Sequence, residues 1–329
     1  MTKTNQQKVK DFLINNGVII VMFILVIYTG FTSDNFFTKN NFMNILMNMS
    51  SRLVIALGIA GCVITAGCDL SAGRMIGFGA CISGMLLQRM DYSGKFFPDM
   101  QPLNVFVVAL IAMLVCAAFG TVTGFFIAYL NVPPFIATLA MMEIVYGIGL
   151  IVTNATPLGG YVEQYTNVSN GKFLGINYLI WIAIIVAVIT WFIFNMTRHG
   201  KYMYAIGGNP QAAEVAGVPV KATLILIYMK AAAMYGLAGF MLGAKAGGAS
   251  VQTGYGYEME AIAACTIGGV SVTGGRGKVS SAIIGVAVFE LLKVALQYLG
   301  MNANAQYIAI GVVIFVAISL DIRKYIARK

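Results

Sequence analysis

Ionisable side chains inside apolar runs are the first candidates for chemistry in this sequence. A charge inside a membrane is costly, so such residues usually pair with one another or mark a pathway. Five positions qualify: Arg52, Glu143, Lys230, Glu290 and Lys293. Glu290 and Lys293 are three residues apart, so on a helix they share a face and can neutralise each other. Glu143 has no such neighbour, and we expect it to form a hydrogen bond inside a bundle, with Lys230 as the candidate partner.

Glu143 also suits a different mechanism, because proton relays in carriers are built from carboxylates within the membrane. A secondary carrier driven by a proton or sodium gradient is therefore an alternative. An integral-membrane enzyme is disfavoured, because the sequence shows no clustered acid, base, nucleophile or metal set. It also contains no G-x-x-x-x-G-K-[ST] and no G-x-G-x-x-G pattern, so an ATPase that drives transport must be another subunit. The single histidine, His199, and five cysteines without a CxxC pair indicate no histidine-based metal centre, disulfide framework or zinc site. We predict no metal, no cofactor and no enzyme activity in this chain.

The composition explains where these residues must lie. Of 329 residues, 59% are hydrophobic and 10% are charged, against roughly 45–50% and 25% in soluble domains. So few charges cannot cover the surface of a water-soluble protein of this size. The sequence predicts an all-α integral membrane protein that forms a single transmembrane domain over residues 1–329.

Ten apolar stretches are long enough, or nearly so, to cross a bilayer that needs roughly 20 apolar residues. They run approximately over 17–32, 43–67, 72–90, 103–130, 135–153, 178–196, 222–245, 259–273, 279–299 and 304–320. The first lacks a cleavage site and is interpreted as a retained helix. An even number of spans places both termini on the same side of the membrane.

Basic residues assign that side to the cytoplasm. With cytoplasmic termini, thirteen Lys and Arg fall in inside segments: Lys3, Lys8, Lys10, Arg74, Arg198, Lys201, Lys221, Arg276, Lys278, Arg323, Lys324, Arg328 and Lys329. Five fall outside: Lys39, Arg89, Lys95, Lys172 and Lys245. This bias follows the positive-inside rule. The net charge of +9 is therefore an orientation signal, and nucleic acid is not an expected partner.

Two departures from plain helices suggest a pathway. Residues 42–51 are amphipathic, which fits the entry to a span, an interfacial segment or half of a broken helix. Residues 67–74 (GCDLSAGR) and 269–276 (GVSVTGGR) form a similar pair of Gly-rich breaks. Interrupted helices often lie beside a transport pathway. The candidate pathway residues are Asp69, Ser71, Ser271 and Thr273, although each could instead cap a helix.

The longest inside loop, residues 198–221, contains a short helix of its own. Asn209 suits the N-cap and Pro210 the first helical position. Gly217 suits the C-terminal end, and Pro219 follows. A helix of two turns is too short to be stable alone in water. It must therefore dock on its own bundle or on a cytosolic partner, which the small residues Ala212 and Ala213 would allow to approach closely.

The loop sequence AIGGNPQAAEVAGVPV resembles the coupling-helix segment of permease subunits of sugar-type ABC importers, the family that includes ribose and galactose systems. Two further segments, CDLSAGRMIGFGACISGMLLQRMD and YEMEAIAACTIGGVSVTGGRGK, are most similar to permeases for galactose and methyl galactosides. The similarity continues in order along nearly the whole chain, to the final SLDIRKYIARK.

The resemblance implies a fold and a role. Such permeases are homodimers in a bacterial plasma (inner) membrane, with about ten helices per subunit in the type II importer arrangement and a pathway at the dimer interface. A separate cytoplasmic ABC ATPase, which binds the ATP and Mg, would dock on residues Gly207, Gly208, Asn209, Pro210, Gln211, Ala212, Ala213 and Gly217. A periplasmic or extracellular binding protein would deliver a monosaccharide, with galactose or a methyl galactoside expected first and ribose or another pentose next.

Overall fold

The computed structural model of the chain describes residue 20 and residues 22–326. Its helices are α1 (Met22–Thr32), α2 (Lys39–Ile64), α3 (Ala72–Leu86), α4 (Val105–Tyr129), α5 (Pro134–Thr153), α6 (Glu163–Asn170), α7 (Tyr178–Met196), α8 (Arg198–Gly208), α9 (Pro210–Val215), α10 (Val220–Ala246), α11 (Tyr257–Gly268), α12 (Val279–Tyr298) and α13 (Ala303–Ile326). A two-residue hairpin, β1 (Lys172–Phe173) paired antiparallel with β2 (Ile176–Asn177), lies between α6 and α7.

Six helices of the described residues are long and apolar enough to cross a membrane: α2, α4, α5, α7, α10 and α12. The other four predicted spans correspond to α1, α3, α11 and α13. Three of these contain shorter apolar helices, Met22–Thr32, Ala72–Leu86 and Asn304–Val316, and α11 has 12 residues. Residues 17–19 and 21 of the first predicted span, and the segment before it, lie outside the described residues. The all-helical membrane class is confirmed, and the number of ten crossings stays a prediction.

Helix α10 lies at the centre of the bundle, where its small residues allow close packing. A Cβ on Gly236 would lie 2.8 Å from the carbonyl carbon of Ala112 in α4, and one on Gly239 would lie 2.7 Å from the amide nitrogen of Ala80 in α3. In lipid, helices associate through such close van der Waals contact between backbones rather than through a hydrophobic force. The glycines therefore let α3 and α4 pack directly on α10.

Contacts between the connections divide them into two groups at opposite ends of the bundle. At one end the amide of Gly275 donates to Ile64 at 2.8 Å, and the hydroxyl of Tyr204 donates to Gly277 at 2.8 Å. At the other end, Leu158 and Ala249 form a β-bridge, and the amide of Val162 donates to Leu87 at 2.9 Å. The first group joins loops that the sequence analysis placed inside, and the second joins loops that it placed outside.

Helix α2 resolves the alternatives for residues 42–51. The segment is the first part of one continuous helix of 26 residues, which the Thr38 hydroxyl caps by accepting from the amide of Asn41. The broken helix is wrong, because no break separates residues 42–51 from the buried half of α2. The amphipathic entry to a span fits this continuous helix, and a position of residues 42–51 at the membrane interface stays a prediction.

The chain between α10 and α11 is irregular over residues 247–256, with positive φ at Gly247, Gly254 and Gly256. This segment turns back from the outer group of loops and packs along α3, where a Cβ on Gly77 would lie 2.7 Å from the carbonyl oxygen of Val251. Arg74 of α3 contacts the same segment. Arg74, counted above among the inside charges, thus packs on this segment, and its side of the membrane stays a prediction.

Candidate coupling and transport sites

Helices α8 and α9 meet at Asn209 and connect α7 to α10. We call these two helices, residues 198–215, the hook. The Thr197 hydroxyl caps α8, and Asn209 caps α9 by accepting from the amide of Ala212 at 2.9 Å. Pro210 occupies the first turn of α9, where its missing N–H costs nothing. The predicted cap and first helical residue are thus confirmed. Gly207 and Gly208, which were grouped with the short helix, are the last residues of α8.

The C-terminal end of α9 is closed by a Schellman motif. The amide of Gly217 donates to Glu214 and the amide of Val218 donates to Ala213, both at 3.0 Å. Gly217 has a φ of +81°, a conformation that suits glycine. The predicted terminator is confirmed at Gly217, with Ala216 as the C-cap. Two strong end signals therefore define a helix of only six residues.

Most of α9 is free of the rest of the chain. Ala213 is buried on the bundle, whereas Gln211, Ala212 and Glu214 are exposed and Val215 is 92% exposed. None of the described residues covers this side of α9, so it is free to contact another protein. The hook is thus anchored on one side and open on the other.

The C-terminal end of α8 packs against the end of α2 and against the turn between α11 and α12. A Cβ on Gly207 would overlap the carbonyl oxygen of Ile64 at the end of α2 and lie 2.6 Å from the amide nitrogen of Gly275. A Cβ on Gly274 would in turn lie 2.7 Å from the carbonyl oxygen of Gly207. The second Gly-rich break, residues 269–276, therefore packs directly against the end of α8 and is called the socket turn below. A movement of the hook would displace α2 and this turn between α11 and α12.

Gly207→Ala is expected to destabilise the chain by about 1–3 kcal/mol, because the added methyl group must displace backbone rather than a flexible side chain. Gly208→Ala is the matched control, since a Cβ there meets nothing within 4 Å. Thermal unfolding in detergent measures both variants. Equal unfolding temperatures for the two variants would show that Gly207 is not tightly packed against Ile64 and Gly275.

His199 and Lys230 lie beside a small cavity of about 30 Å³ between α2, α7, α8 and α10. Burial, and after it the positive charge of Lys230, lower the pKa of His199 to about 4. The imidazole is therefore neutral near pH 7.

Glu143 lies elsewhere, on the exposed face of α5, and among the described residues no ion pair joins it to Lys230. The predicted hydrogen bond between Glu143 and Lys230 is wrong.

Arg52, Glu260, Glu290 and Lys293 form one ion cluster that ties α2 to α11 and α12. Arg52 pairs with Glu260, its Nε lies 2.9 Å from Glu290 Oε2, and Lys293 Nζ donates to Glu260 Oε1 at 2.7 Å. The Arg52 guanidinium also lies over the ring of Tyr257, 4.7 Å from its centroid. The predicted pairing of Glu290 with Lys293 is wrong, since each binds a residue on another helix. Glu260, inside the predicted eighth span, was the overlooked partner.

The four predicted pathway residues lie in two turns. Asp69 accepts from the amide of Ser71 at 3.0 Å and from its hydroxyl at 2.6 Å, and both residues are buried at the start of α3. The hydroxyls of Ser271 and Thr273 are 2.9 Å apart in the socket turn. The two turns touch, because Ala66 packs against Gly274. Their place in a pathway stays a prediction, and the burial of Asp69 and Ser71 favours the helix-capping alternative.

A polar group that the sequence did not single out lies on the other side of α3. Arg74 packs between the rings of Tyr146 and Tyr255, with its Cζ 4.0 and 4.6 Å from the two centroids. Its guanidinium donates to Gln252 Oε1 at 2.8 Å. The glycines of residues 247–256 could have indicated the break that brings these groups together, but hydropathy averaged over a window conceals it.

Comparisons with known proteins place this architecture in a family. Residues 41–318 match the family described as the branched-chain amino acid transport system / permease component. The chain belongs to this family. It is therefore an integral membrane permease and not itself an enzyme, in agreement with the sequence prediction. No solved structure matches the chain.

Relatives within the family match along the whole chain. The sequence is 39% identical over 336 residues to the galactose/methyl galactoside import permease protein of Escherichia coli (strain K12), with both chains covered completely. It is 40% identical, again with complete coverage, to the protein of the same name from Haemophilus influenzae. The ribose import permease protein of Escherichia coli (strain K12) is 32% identical over 319 residues, which is 96% of each chain.

Proposed function

We propose that this chain is the permease subunit of an ATP-driven ABC importer that passes a monosaccharide into the bacterial cytoplasm. The preferred cargo is galactose or a methyl galactoside, with ribose or another pentose next. The observation that carries the proposal is full-length identity of 39–40% to galactose/methyl galactoside import permeases. The whole chain, residues 1–329, then acts as one membrane domain with ten crossings and cytoplasmic termini.

The open hook gives the proposal a mechanism. A cytoplasmic ABC ATPase subunit, which holds the ATP and Mg, docks on the exposed side of α9 around Ala212 and Val215. Closure of the ATPase pair moves the hook, and the packing of Gly207 against Ile64 and Gly275 transmits the movement to α2 and to the α11–α12 turn. Backbone contacts transmit displacement without first compressing side chains, because packed interiors yield little.

A second copy of the chain and a binding protein complete the importer. Helix α5 leaves Phe135, Ile136, Leu139, Glu143 and Ile144 exposed along one side. A carboxylate at the middle of such a face is costly against lipid, which supports a homodimer whose passage runs along α5. A periplasmic or extracellular binding protein delivers the sugar at the outer group of loops, so the passage itself needs little selectivity.

Glu143→Gln is expected to leave sugar uptake within about twofold of the unmodified chain, because an ATP-driven importer needs no proton carried by this carboxylate and glutamine keeps the size and polarity of the side chain. The secondary-carrier alternative expects uptake to stop, since it needs the carboxylate to carry a proton. Uptake of labelled galactose is measured in cells that lack their own galactose permease and express the chain with its ATPase and binding protein. Loss of uptake in this variant, together with collapse of unmodified uptake by an uncoupler at constant ATP, would contradict the importer.

A further inference from the structure

Arg74, Tyr146, Gln252 and Tyr255 come from three elements and meet at one place. Arg74 belongs to the first turn of α3, Tyr146 to α5, and the other two to the irregular segment 247–256. Besides the two ring contacts and the bond to Gln252, Arg74 donates to the carbonyl oxygen of Val251 at 3.4 Å. Gln252 Nε2 completes the group by hydrogen bonding with the Tyr146 hydroxyl at 3.0 Å.

This group lies beside the middle of α5, a helix long and apolar enough to cross a membrane, and is open on one side. Tyr146 is the thirteenth of 20 residues in α5, so it lies about 18 Å along that helix. Tyr255 is 65% exposed, Gln252 is exposed, and a Cβ on Gly147 would meet nothing within 4 Å. Irregular backbone at membrane depth is tolerated only where it is buried in protein or lines a water-filled cavity. In the proposed homodimer, the exposed side of residues 247–256 lines the water-filled passage between the two copies.

The chemistry of Glu143 agrees with this placement. It precedes Tyr146 by three residues, so the two side chains share a face of α5. Among the described residues Glu143 has no ion-pair partner within 4 Å. A hydrated passage stabilises such a carboxylate, whereas hydrocarbon does not.

We propose that Arg74, Tyr146, Gln252 and Tyr255 form a sugar-contacting surface of the translocation passage. The proposal rests on the proposed function and names the part of the passage that touches the cargo. The ring of Tyr255 packs on Arg74 with one face and offers the other to the apolar face of a pyranose. The amide of Gln252 and the guanidinium supply donors and acceptors for its hydroxyl groups.

Such a surface favours passage over tight binding. Arg74, Gln252 and Tyr146 already satisfy one another, so a sugar exchanges existing hydrogen bonds for new ones and gains little net free energy. A rigid aromatic and amide surface can thus guide a sugar that the binding protein has already selected.

The test compares Gln252→Ala and Tyr255→Ala in the complete importer, assembled in vesicles with its ATPase and a galactose-loaded binding protein. Each variant is expected to lower the maximal rate of galactose uptake about 3- to 10-fold. A change of this size is expected from the loss of one or two weak contacts between the sugar and the chain. ATP hydrolysis by the complex is expected to persist, because neither residue contacts the hook. Tyr255→Phe is expected to restore uptake, because it keeps the ring.

Tyr307→Ala is the control for loss of an exposed tyrosine ring, since Tyr307 is 71% exposed, lies on α13 and makes none of the contacts described for Arg74. Its uptake should equal that of the unmodified importer. Unchanged uptake in both test variants would overturn the surface, and so would an equal loss of uptake and ATP hydrolysis, which would assign a structural role. Absence of uptake by the unmodified importer would instead contradict the proposed function.

Discussion

The double change Gly208→Asp with Ala212→Arg is expected to end sugar uptake while the chain still folds and inserts. Both positions are exposed, and a Cβ on Gly208 meets nothing within 4 Å, so the bundle tolerates the new side chains. The ATPase contact does not, because burying an unpaired charge in an interface costs about 2–5 kcal/mol. That range corresponds to a loss of ATPase affinity of roughly 30-fold or more.

Uptake of labelled galactose and the amount of chain in the membrane are measured together. Gly208→Ala with Ala212→Ser is the control, since these small neutral side chains leave the exposed face of α9 nearly unchanged. Full uptake by the Asp and Arg variant would contradict the assignment of α9 as the coupling helix. Loss of the chain from the membrane would contradict the independence of the hook from the fold.

Arg52→Leu is expected to destabilise the chain strongly. It removes one of two cations from a cluster in which Glu290 is nearly buried, with a side chain 4% exposed. Breaking a buried ion pair by removing one partner costs about 3–5 kcal/mol, because the remaining charge is left without compensation. The contacts that hold α2 to α11 and α12 would weaken first.

Thermal unfolding of the detergent-solubilised chain measures this loss. Lys39→Leu is the matched control, because Lys39 is exposed at the start of the same helix and a surface change of this kind stays within about 0.5 kcal/mol. If Arg52→Leu unfolds at the same temperature as the control, the cluster does not hold the three helices together.

The sequence predicted those features that depend on neighbouring residues. Helix α9 followed from the Asn209 and Pro210 start signals and the Gly217 stop signal, because capping chemistry acts within one turn. The apolar spans followed from the need of a helix in lipid for about 20 apolar residues. The division of the loops into two ends followed from counting those spans.

Features that depend on distant parts of the chain were predicted poorly. Glu290 and Lys293 share a helix face, so the sequence predicted that they pair with each other. In the structure, Glu290 pairs with Arg52 of α2 and Lys293 pairs with Glu260 of α11. Arg74, the last residue of the first Gly-rich break, was counted among the inside charges, and no local pattern placed it against residues 251–255. Only the return of that irregular segment along α3, which no local pattern specifies, brings Arg74 between two tyrosines.

The central claim is that a separate ATPase drives this permease through α9. The most direct test purifies the tagged chain from its native membranes in mild detergent and identifies the bound proteins by mass spectrometry. We predict an ABC ATPase subunit in stoichiometric amount that is lost from the Gly208→Asp, Ala212→Arg variant. A clean homo-oligomer without an ATPase, from membranes whose sugar uptake an uncoupler abolishes, would contradict the account.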